Sequence, residues 1–276
     1  MSKIEKALNK AREGGLQVVP RVGPPPAPAT GTSVITHRSA HPETIARMAM
    51  NEVRMLAPTD LEQRGIIRPQ RGEDPAVQVF RELRSKIIQQ SQGQNAVILV
   101  TSVSRGCGAS FISRNLAAAF AFDVGKTALL IDCNLANPSV HDILRNASVP
   151  GLADYLENPA LDIDKIIQPL GIARYRLITA GKRHETPEEL LTSAKMKQMI
   201  EAVRRRYLER FIILDGPPMS KLADIRLLSD LADHTLVVAR YGRTTNTQIA
   251  SCVGAVSEKK LLGVIFNEEP RIPRLR

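Results

Sequence analysis

The chain has 276 residues, 43% of them hydrophobic, a length that buries one full-sized core and leaves any second folded unit small. Its formal net charge of +10 comes from basic residues scattered along the chain with only 4% aromatics to interleave, which disfavours nucleic acid and favours an anionic membrane face. No apolar run approaches the roughly 20 residues that span a bilayer, and the opening Met1-Ser-Lys-Ile-Glu-Lys lacks an apolar signal core, so a cytoplasmic chain is expected.

Ser2-Lys-Ile-Glu5 is a capping-box pattern, and Ile4, Leu8 and Ala11 follow at near-helical spacing. A short amphipathic helix over 1–15 is expected, either docked on a partner or a second copy, or frayed, because so short a helix is marginal alone. Residues 16–73 read as a flexible linker and lead-in arm, proline-rich from Gln17 to Ser33 and carrying only short helical patterns such as Thr44 to Leu56 and Pro58-Thr-Asp-Leu-Glu-Gln. Ordered structure is expected from about Asp74, where Val77, Phe80, Leu83 and Ile87 share one helical face and Gln78, Arg81 and Arg84 another.

Beyond that helix, short β-branched runs alternate with amphipathic stretches. Strands are expected over Ala96–Thr101, Thr127–Cys133, Tyr175–Thr179, Phe211–Asp215, His234–Arg240 and Leu261–Asn267. Helical segments are expected over Ser110–Phe122, Pro187–Tyr207, Leu222–Leu231 and Thr245–Lys259. This order predicts an α/β fold, a mostly parallel sheet with helices on both faces and ligands at the carboxyl ends of the strands.

The chemistry gathers at those ends. Thr101-Ser-Val-Ser-Arg-Gly-Cys-Gly-Ala-Ser110 is a phosphate-cradling loop of the P-loop type in every respect but one. Ser104, Arg105, Gly106, Cys107, Gly108, Ala109, Ser110 and Phe111 are the candidate nucleotide-binding residues, yet the position of the phosphate-binding lysine is Ala109. Ser110, Asp132 after Ala-Leu-Leu-Ile, and Asp215 after Phe-Ile-Ile-Leu are the candidate Mg²⁺ ligands, and the two aspartates are the candidate catalytic groups. Arg105 is an alternative source of the lost cation. Cys107, Cys133 and Cys252 lack metal-ligand spacing and read as semi-buried thiols, with a Cys107–Cys133 redox pair as the alternative.

Taken together, Thr101-Ser-x-x-x-Gly-x-Gly-x-Ser, Ile-Asp132-x-Asn-Leu-x-x-Pro138-Ser, Pro150-Gly-Leu-x-Asp, Thr186-Pro-x-Glu-Leu-Leu, Asp215-x-Pro-Pro, Asp224-x-Arg-Leu-Leu and Leu262-Gly-Val-x-x-Asn267 resemble the bacterial tyrosine autokinases of capsule and exopolysaccharide synthesis, in the MinD/ParA-like P-loop superfamily. The amino-terminal Ile-Glu-Lys-Ala-Leu-Asn-Lys is similar to the exosortase-associated subgroup. The resemblance implies a P-loop NTPase-type domain over 74–268, followed by a basic tail over 269–276. It implies ATP or ADP with Mg²⁺ as cofactor, Asn267 near the adenine, and Gln78, Arg81 and Arg84 at a ring-forming interface. It further implies a homo- or hetero-oligomer working with a polysaccharide co-polymerase of the chain-length-determinant (Wzz-like) kind, and hence peripheral association with the inner membrane through that partner.

Three departures from the family pattern fall at the chemistry. Ala109 replaces the lysine, Asn134 and Ala136 replace the second aspartate and the arginine of the Asp132 block, and the tail Glu268-Glu-Pro-Arg-Ile-Pro-Arg-Leu-Arg276 contains no tyrosine. Such a cation acts on charge in the transition state, so its loss costs rate on the order of 10² or more while backbone amides and Mg²⁺ still supply ground-state binding. The expectation is a catalytically impaired relative. An active ATPase or kinase of other proteins' tyrosines is the alternative, and a ParA/MinD-like positioning ATPase a second one, disfavoured because Ser104 stands where those proteins place an additional lysine.

Overall fold

The structure is a computed structural model and describes residues 58–68, 75–138, 149–219 and 222–268. The expected amino-terminal helix over 1–15, the proline-rich stretch and the tail over 269–276 lie outside the described residues. In chain order the elements are α1 (Pro58–Gln63), α2 (Pro75–Gln90), β1 (Val97–Ser102), α3 (Ala109–Ala121), β2 (Thr127–Asp132) and α4 (Leu152–Glu157). There follow β3 (Gln168–Pro169), β4 (Tyr175–Ile178), α5 (Pro187–Leu191), α6 (Ala194–Arg206), β5 (Arg210–Pro218), α7 (Leu222–Leu231), β6 (His234–Arg240), α8 (Asn246–Ala255) and β7 (Leu261–Asn267).

The seven strands form one sheet in the order β3-β4-β2-β5-β1-β6-β7. All neighbours pair in parallel except the short edge strand β3, antiparallel to β4. Successive strand residues point to opposite faces, and the two apolar cores divide accordingly. Val97, Leu99, Leu129, Ile131, Ile212 and Leu214 pack with α4, α6, α7 and α8 on one face. Ile98, Val100, Ala128, Leu130, Phe211 and Ile213 pack with α1, α2 and α3 on the other. Continuous apolar strands are what a sheet covered on both sides demands, so the expected fold class is the observed one. On the second face the run Ala117 to Ala119 lets α3 lie close to the sheet, and Phe120 stacks on Phe211 with ring centroids 4.1 Å apart.

Three differences from the sequence expectation have local causes. The helix expected over 187–207 is two helices, because the Ser193 side chain accepts the Met196 amide and starts α6 afresh. Strand β3 has only two residues, too few for any periodicity to reveal. Residues 58–68, assigned above to the arm, belong to the packed body: Leu61 and Ile66 are buried in the second core. Asn115, fully buried on α3, holds them there. Its Oδ1 accepts the Ile67 amide at 2.7 Å, and its Nδ2 lies 2.9 Å from both the Gly65 and the Phe111 carbonyls.

An Asn115→Ala substitution removes these bonds and leaves the Ile67 amide and the Gly65 carbonyl without their side-chain partner. Urea denaturation should register a loss of about 2–3 kcal/mol, because a buried group left unsatisfied costs its full desolvation. An unchanged midpoint would contradict the docking of residues 58–68.

Candidate functional site

Strand β1 ends at Ser102, and the chain turns through residues 103–108 into α3. Gly106 and Gly108 take φ of +83° and +91°, the left-handed region that favours glycine. Gly108 is also required by space, since a Cβ there would stand 2.1 Å from the Asn267 side-chain nitrogen. That amide donates to the Cys107 carbonyl at 3.0 Å, so the last residue of β7 holds the loop's curvature. The first-turn amides of α3 have no intrahelical acceptors, and they open on a cleft of about 510 Å³ lined in part by Gly108, Ala109, Ser110 and Phe111.

Asp132 and Asp215 are direct register partners across β2 and β5, both fully buried. Parallel neighbours lie about 4.8 Å apart, so the pairing sets two carboxylates side by side at one level of the sheet. Asp132 Oδ1 accepts the Asn134 amide at 3.0 Å. The Ser113 hydroxyl lies 3.0 Å from both Asp215 Oδ1 and the Ala109 carbonyl, two acceptors for its single proton. Asn134 and Gly216, just past the two carboxylates in the chain, line the cleft. Ser110 lines the cleft, whereas Asp132 and Asp215 are fully buried and are not among its lining residues; hydroxyl and carboxylate oxygens are donors of the kind that hold Mg²⁺ together with phosphate oxygens and water. Among the described residues no group of three or more His, Cys, Asp and Glu could hold a metal by itself. The glycine turn, the opening helix and the oxygen donors thus fit a Mg²⁺-bound polyphosphate, in which the metal would supply Lewis-acid neutralisation of phosphate charge.

The ammonium group of such sites has no counterpart here. Ala109 presents only a methyl group, 8% exposed, and the cations among the lining residues are Arg105, Arg114 and Arg183. Arg114 was legible as a site residue, standing one helical turn after Ser110; Arg183, in a loop, gives no spacing signal. Lys126 turns elsewhere, its ammonium 3.3 Å from the Gly93 carbonyl and 5.7 Å from the Phe211 ring centre. Ser104, Cys107 and Asn267 stand behind the lining and shape the loop, so Asn267 acts on backbone in this structure. Phe111 lies edge-on to Phe80 of α2, ring centres 6.1 Å apart. Of the three residues assigned to an interface, Gln78 is exposed and Arg81 half-buried, while Arg84 turns inward to donate to the Ala119 carbonyl at 3.0 Å. The tyrosines within the fold range from fully buried Tyr175 to Tyr241, 44% exposed.

All three cysteines are free and buried, more deeply than expected. Burial, and then the nearby Asp132 and Asp215 charges, push the Cys133 thiol well above its ordinary value. Burial and then Cys107 push Cys252 up to about 11. Both thiols bind protons more tightly when folded, so their contribution to stability is intact below the usual thiol value of 9.0; that of Cys252 is lost as pH rises through about 11. A maleimide reagent at neutral pH should leave Cys133 and Cys252 unmodified in the native protein and label them after unfolding. Rapid labelling of Cys133 in the folded chain would contradict this arrangement.

No family model matches the chain. It is 32% identical over 197 residues to the tyrosine-protein kinase wzc of Salmonella typhimurium, covering 70% of this chain and 27% of that protein. It is 30% identical over 199 residues to the putative tyrosine-protein kinase EpsB of Ralstonia solanacearum, covering 71% and 26% respectively. The chain therefore spans about a quarter of the length of these relatives. Among solved structures, the VpsO kinase domain superimposes with a TM-score of 0.64 at 27% identity, covering 78% of this chain and 100% of that one. The BceF tyrosine kinase domain gives 0.63 at 25% identity, covering 83% and 98%. By sequence and by fold, the chain is homologous over 70% of its length to bacterial tyrosine kinases of capsule and exopolysaccharide biosynthesis and shares the fold of their kinase domains.

Proposed function

We propose that this chain is a catalytically impaired member of that family, one that binds ATP or ADP with Mg²⁺ and regulates or scaffolds polysaccharide synthesis and export. The observation that carries the reading is Ala109: the loop, the paired aspartates and Ser110 persist around a position that holds a methyl group. Backbone amides and a metal contribute to ground-state binding and remain without the lysine, whereas a lysine adds stabilisation of the charge that moves during transfer. Its removal lowers rate more than affinity.

The scaffold would work from the cytoplasmic side of the inner membrane through a polysaccharide co-polymerase. Among the described residues no helix is long and apolar enough to cross a membrane, so attachment through a partner suits this segment. Self-association would use the side of α2 that carries Gln78, Arg81 and Arg84, the last of which also donates to the Ala119 carbonyl. A second reading, an active kinase or ATPase working with altered residues, is favoured by the arginines that line the cleft.

The two readings separate in a turnover assay with and without the partner's cytoplasmic segment. Calorimetry should show ATP·Mg²⁺ binding, while hydrolysis runs on the order of 10² or more below that of a lysine-bearing relative's kinase domain. Robust hydrolysis that Ser110→Ala abolishes, or phosphotyrosine appearing on co-expressed proteins, would establish the second reading instead.

A further inference from the structure

The cleft holds more positive charge than the loss at position 109 leads one to expect, and two of its cations lie outside the phosphate loop. Arg114 stands one turn beyond Ser110 on α3. Its Nε donates to the Ser110 carbonyl at 2.9 Å, and its own carbonyl accepts the Tyr175 hydroxyl at 3.2 Å, so the stem of the side chain is fixed beside the loop.

Arg183 comes from the segment after β4, and both of its neighbours are tethered. The His184 amide donates to the Leu135 carbonyl at 2.9 Å, and its Nε2 lies 3.1 Å from Glu157. Lys182 lies 3.5 Å from Asp154 Oδ1. Gly181, at φ +77°, packs so closely on Gly151 that a Cβ on Gly151 would stand 2.2 Å from the Gly181 nitrogen. These contacts hold Arg183 against the stretch 134–136, where Ala136 leaves the wall short of a side chain. Exposed Arg183 and small Ala136 line the same cleft.

We propose that Arg114 and Arg183 form a clamp for the polyphosphate of a nucleoside di- or triphosphate, replacing in ground-state binding the cation that the loop lacks. The proposal rests on the reading that the cleft takes a nucleotide, and names the residues that hold it. Guanidinium is well matched to polyphosphate, because it keeps its charge at any physiological pH and offers paired donors to two phosphate oxygens at once. A cation carried on the opposite wall grips the ligand without standing at the loop position from which a lysine follows the transferring group. Strong binding and slow transfer then coexist in one cleft.

The test is calorimetric titration of the full chain with ATP·Mg²⁺ and, separately, with inorganic tripolyphosphate, which lacks a base. Arg183→Ala should weaken both probes on the order of tenfold, the effect of one charge-assisted contact, and Arg183→Lys should recover part of the loss. Arg205→Ala, which removes an exposed charge on α6 that does not line the cleft, should bind like wild type. Arg183 is exposed, so its substitution should leave the melting temperature unchanged; Arg114→Ala should weaken binding as well, and Arg183→Ala decides the matter if Arg114→Ala fails to fold. Binding by Arg183→Ala within about twofold of wild type, an equal loss for Arg205→Ala, or no binding of either probe by wild type would each overturn the clamp. The two proposals fail separately. Fast wild-type turnover with binding dependent on Arg183 removes the impaired-kinase reading alone, and slow turnover with binding indifferent to Arg183 removes the clamp alone.

Discussion

Parallel pairing of β5 with β1 on one side and β2 on the other sets the position of every group at the site. The register that places Asp132 opposite Asp215 brings two strand-end carboxylates level with the turn that follows β1. A one-residue slip would send each side chain to the opposite face of the sheet and dismantle both cores. Full burial of β1 and β2 on both faces therefore fixes the chemistry as well as the fold. The closing strand adds the last constraint, since Asn267 seizes the Cys107 carbonyl and leaves no room for a side chain at Gly108.

On the proposed reading, the cleft around that frame would hold a phosphate without driving its transfer quickly. Helix-terminal amides, oxygen donors for a metal and arginines on the walls all act on the ligand at rest. A lysine at position 109 would add to the stabilisation of charge that develops as the terminal phosphate departs, and a methyl group occupies that position. On the proposed reading, the protein would respond to nucleotide without consuming it quickly, as a switch or scaffold would.

Much of this was legible in the residues. Apolar runs such as Val97 to Val100 and Leu129 to Ile131 announced buried parallel strands, and glycine spacing with strand-end aspartates located the site. What stayed hidden depends on tertiary contact. Nothing local in Pro58-Thr-Asp-Leu-Glu-Gln says that Asn115, some fifty positions later, will hold this stretch to the core. The bond from Arg84 to the Ala119 carbonyl of α3 has no signal in the α2 pattern either. Arg183 lies in a loop without periodicity, and only the anchoring of Lys182 and His184 to separate elements carries it to the cleft. The break at Ser193 was readable in principle, because serine before a helical run is a start signal within what otherwise reads as one helix.

The central claim, that the cleft lacks one cation needed for transfer and little needed for binding, meets its most direct test in single-turnover cleavage of ATP by wild type and Ala109→Lys side by side. The account predicts that the lysine raises the rate of phosphate cleavage on the order of tenfold or more while changing nucleotide affinity by much less. A wild-type chain that already cleaves ATP at the lysine variant's rate would contradict it.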